Sequence, residues 1–124
     1  MQLRIVLQPQ RAAVCRLTPD APIPDWAHGK FVSITRTHAE LSIVCDESSA
    51  PNDVHADRGW RVFEVVGPFE FSVTGVAASL SGALAGNGIS LLLIATFDTD
   101  YVLVKDDVVE RATAAFRQFG HDVS

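Results

Sequence analysis

The chain has 124 residues, 48% apolar and 20% charged, with 10 Lys and Arg against 15 Asp and Glu for a net charge of −5. That length and apolar share suit one compact body, or two very small ones sharing a core, and exclude a disordered chain. An isoelectric point near 5.2 without any cluster of basic residues excludes electrostatic binding of nucleic acid, and no apolar run approaches the roughly 20 residues of a membrane crossing.

The first residues, Met1 to Leu7, lack the basic segment, long apolar stretch and small-residue cleavage site of a secretory signal, so a cytoplasmic protein is expected. Apolar runs at 3–7 and 12–17 predict two strands joined by a tight turn through Gln8-Pro9-Gln10-Arg11. Pro19, Pro22 and Pro24 then forbid a central strand, and Pro22 or Pro24 can open a short helix through Trp26 and Ala27. Phe31 to Thr35 and Leu41 to Cys45 carry β-branched residues in partial alternation around a polar break, which predicts a hairpin. Asp46 to Asp57 reads as a loop or one helical turn.

Trp60 to Val66 predicts a strand with Trp60, Val62 and Val66 on its apolar side and Arg61 and Phe63 on the other. From Val73 to Ala85 the spacing of Val76, Leu80, Ala83 and Leu84 predicts a helix, capped by Ser72 or Thr74 and stopped by Gly86-Asn87-Gly88. Ile89 to Ala95 and Tyr101 to Val104 predict a second hairpin around the polar turn Phe97 to Asp100. Asp106 or Asp107 then caps a last helix with Val109, Ala112, Phe116 and Phe119 on one face, ended by Gly120. His121 to Val123 forms a final short strand. From residue 60 the order is β-α-β-β-α-β, the split arrangement of ferredoxin-like α+β domains, in which two helices cover one face of an antiparallel sheet. The first half repeats that order more weakly.

Two places can carry chemistry. Gly75, beside Val76 in the first turn of its helix, lets another molecule approach free backbone N–H groups at the positive end of the helix dipole, where a carboxylate or phosphate fits. Alternatively it serves only close packing of helix on sheet. Asp98 and Asp100 can attract an ammonium or guanidinium group, or belong to a solvated turn. Together they suit a zwitterion, of which an amino acid is the simplest. The series Gly82, Gly86, Gly88 ends a helix and so fails the dinucleotide fingerprint. His28, His38, His55 and His121 are scattered without metal-ligand spacing and read as surface or loop residues. Cys15 and Cys45 lie in strand-like runs and read as buried thiols; a nucleophilic pair with a distant His lacks an activating cation in either sequence context.

The segments Phe31 to Thr37, Gly59 to Val62, Thr74 to Val76 and above all Ala95 to Val104 resemble the ACT-like family, which includes tandem-ACT arginine sensors and small bacterial proteins. The Thr96-Phe97-x-x-Asp100 pattern after a buried strand is its most specific part. The resemblance implies two βαββαβ units per chain, residues 1–59 degenerate and 60–124 complete, with a ligand held at an interface between units. It implies that Ser90 and Leu91 hold the ligand's backbone end, while Gly75, Thr96, Phe97 and Asp100 of a facing unit meet a cationic end; Val76 counts with them as a ligand-binding residue. A homodimer supplies the facing units of such a sensor, with two symmetry-related sites. The reading is a regulatory, non-catalytic module that binds a free amino acid and needs no cofactor. Its alternatives are a structural dimerisation or partner-binding unit with an empty site, and a thiol enzyme.

Overall fold

The computed structural model describes residues 1–70 and 72–124. These form the strands β1 (Arg4–Leu17), β2 (Ser33–Arg36), β3 (Leu41–Asp46), β4 (Ala56–Val65), β5 (Leu92–Ala95), β6 (Asp100–Lys105) and β7 (Asp122–Val123), with helices α1 (Val76–Ala85) and α2 (Val109–Gln118). The chain divides into two compact units, one of residues 10–60 and one of residues 1–9 with 61–124. The first nine residues, expected with the N-terminal unit, therefore belong to the later one.

In the unit of residues 10–60 the strand order is β2-β3-β1-β4. β2 and β3 form the expected antiparallel hairpin, with Ile34 opposite Ile43, and β1 pairs with β3 so that Cys15 faces Ile43 and Leu17 faces Leu41. Alternation puts Ala13 and Cys15 on one face, where they pack with Leu41, Ile43, Cys45 and Ala50. No α-helix covers this core. The expected short helix at Trp26 is instead a series of turns, with Ala21 N–H bonded to Thr18 O and Ala27 N–H to Pro24 O. Between Pro24 and Gly29 only four residues are left, too few for a helix to grow past its first turn.

In the unit of residues 1–9 and 61–124 the order is β7-β1-β4-β6-β5, and the elements from β4 onward run β-α-β-β-α-β as expected. β5 and β6 are antiparallel, with Ala95 opposite Asp100. α1 buries Val76, Leu80, Ala83 and Leu84, the stripe that the sequence predicts. α2 buries Ala112, Ala115 and Phe116, while Phe119, expected on that face, is 52% exposed just past the helix end. These residues pack with Ile5, Val65, Val102 and Val104 and with Phe63, whose ring meets Phe116 edge-on at 5.3 Å. Phe63 thus lies at the centre of the core, not on the polar side expected of it. Trp60 and Val62 are buried as well, so both faces of β4 are apolar and alternation cannot tell which one the helices cover.

Two further departures concern β1. It is one continuous strand, not two joined by a turn. Backbone groups of residues 3, 5 and 7 point towards the chain's end: Asp122 N–H bonds to Leu3 O, Ser124 N–H to Ile5 O and Leu7 N–H to Ser124 O. Pro9 is next in that series and lies just beyond the last such bond, so its missing N–H costs the ladder nothing. The second departure is that β7 pairs in parallel with β1, Arg4 opposite Asp122, which leaves residues of β1 in the place beside β4. A two-residue strand offers too few backbone groups to fill that place itself.

Candidate functional site

One cleft of about 310 Å³ lies where the start of α1 meets the turn between β5 and β6. Its first wall follows from Gly75, which adopts a left-handed conformation at φ +88° and makes Val76 the first helical residue. The earliest intrahelical bond runs from Ser79 N–H to Gly75 O at 2.9 Å, so the amides of Val76, Ala77 and Ala78 precede the helical ladder. Neither Ser72 nor Thr74 caps them as expected; among the described residues no side-chain capping bond is made at the helix start. These amides carry the positive end of the helix dipole.

The second wall is the turn. Thr96 N–H bonds to Thr99 O at 2.8 Å, and Thr99 N–H returns to Thr96 Oγ1 at 3.3 Å, closing a tight loop. Thr99 Oγ1 donates to Val65 O at 2.6 Å and Phe69 N–H to Asp98 O at 2.7 Å, which pins the turn to the end of β4. A side chain on Gly67 would come within 2.8 Å of Asp98 O, so this glycine permits the close approach. The result aims Asp98 and Asp100 at the cleft and leaves Phe97 79% exposed at its rim. Glu70 adds a third carboxylate, and no Lys or Arg is among the described lining residues. On the turn's other side, Tyr101 is pushed above the ordinary tyrosine range by burial and then by the negative charges of Glu64 and Asp98.

Of the residues singled out from the sequence, Gly75, Val76, Thr96, Phe97, Asp98 and Asp100 line this one cleft. Ser90 and Leu91 do not. They follow α1 at its far end, and ten helical residues separate the helix ends by roughly 15 Å. Phe69 and Glu70 also line the cleft without being singled out from the sequence, and Gly67 sits behind the turn against Asp98 O.

The other chemical candidates resolve simply. Cys15 and Cys45 are buried thiols. Burial raises both, Cys45 to about 11 with the neighbouring Cys15 adding to the effect, the opposite of the lowering that activates a thiol. Among the described residues no three His, Cys, Asp or Glu side chains gather as metal ligands. No described helix is long and apolar enough to cross a membrane. His121, expected at the surface, is instead buried.

The fold is of the ferredoxin-like class, and the chain belongs to the ACT domain family: the family model for that domain matches residues 55–118. A second model, described as an N-terminal domain, matches residues 11–53. The chain is similar to a protein of Agrobacterium tumefaciens known from its crystal structure, at 38% identity and a TM-score of 0.94, over 100% of this chain and 93% of that one. It is 28% identical over 95 residues to the cytosolic arginine sensor for mTORC1 subunit 1 of Bos taurus, covering 68% of this chain and 29% of the sensor. The regulatory subunit of aspartate kinase from Thermus thermophilus shares the fold, with a TM-score of 0.66 at 14% identity over 93% of this chain and 96% of that one. The chain spans about half the length of one curated relative and under a third of the other.

Proposed function

We propose that the chain is a non-catalytic regulatory module that binds a free amino acid, preferably a cationic one, in the cleft between α1 and the β5–β6 turn. The observation that carries this reading is the convergence in one cleft of three first-turn amides that precede the helical ladder with Asp98 and Asp100. The amides of Val76, Ala77 and Ala78 suit a carboxylate, and the two aspartates with Glu70 suit an ammonium or guanidinium group. The sensor among its relatives is named for arginine, which supports the same ligand class.

The separation of Ser90 and Leu91 from the cleft supports a homodimer. In a two-fold pair, Ser90 and Leu91 of the partner subunit close over the ligand's backbone end, and symmetry repeats the site twice. Binding then favours one arrangement of the two copies over another, which is how a module without catalysis transmits occupancy. A cytoplasmic location accords with a free amino acid as ligand.

A thermal-shift series over the free amino acids tests this. The expected result is a dose-dependent rise for Arg or Lys, about 2.7 kcal/mol of added stability at a ligand concentration 100 times Kd. Asp100→Ala should abolish the response. No response to any amino acid would leave the reading without support and favour a dimerisation module with an empty site.

A further inference from the structure

His121 opens the approach to β7 and is 4% exposed, a buried imidazole that the cleft does not use directly. Leu3 N–H donates to its Nδ1 at 3.1 Å, and its Nε2 lies 2.7 Å from Ser79 Oγ on α1. A backbone amide can only donate, so Nδ1 is the bare nitrogen; the ring proton sits on Nε2, which therefore donates to Ser79 Oγ. One neutral ring thus ties the chain's first residues to the helix that forms a wall of the cleft. The tie extends to the cleft itself: Met1 Cε lies 3.7 Å from where a side chain on Gly75 would begin.

A second proton could enter only at Nδ1, directly against the Leu3 N–H. Neither of the ring's bonding partners, the Leu3 N–H and Ser79 Oγ, carries a negative charge to offset it, and its other neighbour is the Phe119 ring, centroid to centroid at 6.3 Å. α1 has no ionisable side chain, and α2 presents Arg117, whose guanidinium bonds to Val123 O at 2.8 Å. β1 contributes the cation Arg4, and on β7 the register partner of Arg4 is Asp122, which is exposed. Burial and the positive Met1 amine both lower the ring's pKa from its usual value.

We propose that His121 is a proton-operated latch on the cleft wall: neutral, it clamps Leu3 to α1; protonated, it releases the Leu3 amide and with it the packing of Met1 beside Gly75. The latch works on the empty protein and does not depend on which ligand the cleft takes. Its effect on the cleft comes through the first turn of α1, whose amides keep their aim only while Met1 to Leu3 are held.

The test is two-dimensional NMR of the full chain between pH 7.5 and 4.5, following the His121 ring, the Leu3 amide and the Gly75 and Val76 amides. All should move with one midpoint below 6.5, and hydrogen-exchange protection of Leu3, corrected for intrinsic rate, should fall by up to about tenfold per pH unit as pH drops from 6.5 towards that midpoint and level off below it. His121→Asn places an amide oxygen near the position of Nδ1 but cannot take up a proton, so its Leu3 and Gly75 signals should stay flat. Ser79→Ala removes only the other contact and should keep the titration. A wild-type Leu3 amide that ignores the ring would overturn the latch, as would an Asn variant with the wild-type response. Gly75 and Val76 signals that stay still while Leu3 moves would overturn its link to the cleft. Should the Asn variant fail to fold, the wild-type signals decide alone.

Discussion

The unit of residues 10–60 and the unit of residues 1–9 with 61–124 are both built on strands, but they close their apolar faces by different means. The first has loops over its core, and charged groups lace those loops to the strands. Glu47 accepts Gly59 N–H at Oε1 (2.7 Å) and pairs with Arg11 through Oε2 (3.3 Å), while Arg58 bonds to Pro51 O at 2.7 Å. The second uses α1 and α2. A helical cover satisfies its backbone internally except at its ends, so it leaves donors facing outward. Loop cover consumes its polar groups in holding itself. The cleft lies in the unit whose architecture has amides to spare.

That contrast can be broken or sharpened in order of effect. Phe63→Ala removes the ring that the helices close over, and denaturant unfolding should show a loss of about 3–5 kcal/mol. Glu47→Ala leaves the Gly59 amide without its acceptor and should cost about 1–3 kcal/mol, seen by hydrogen exchange as faster opening at Gly59. Gly75→Val places a β-branched residue at φ +88°, a strain of about 1–2 kcal/mol, and should also weaken ligand binding. Gly120→Ala meets similar backbone strain at φ +94° with nothing within 4 Å, and should lower stability while leaving binding intact. Equal binding by these two variants would remove the helix start from the site. The smallest effect concerns pH. Because folding lowers the His121 pKa, the unfolded chain binds more protons just below 6.5, so stability is complete above that value and declines as pH falls towards the folded-state titration. Melting curves of the wild type against His121→Asn isolate that decline from the other histidines.

Much of the helical unit is legible in the sequence because its signals are local. The stripe Val76, Leu80, Ala83, Leu84 states its own period, and the turn residues Thr96 and Asp100 lie within five positions of each other. What is not legible depends on partners distant in the chain. Phe63 could be assigned to either face of β4 until the helices had somewhere to pack. Pro9 reads as a breaker because the sequence does not reveal which side of β1 lacks a neighbour. His121 reads as a surface residue because both of its partners, Leu3 and Ser79, lie more than 40 positions away. Glu70 at the cleft and Gly67 behind the turn carry no local signal, because the turn they meet comes some thirty residues later.

The placement of residues 1–9 carries a practical consequence. No single cut can deliver either unit whole: a fragment beginning at residue 61 would lack the segment that flanks β4, exposing a raw edge prone to pairing with other chains. The complementary fragment would drag along nine residues with no native seat. Circular permutation through a linker that spans the roughly 20 Å from Ser124, beside Leu7, back to Met1, with new ends opened in the loop before β2, would preserve both units where truncation cannot.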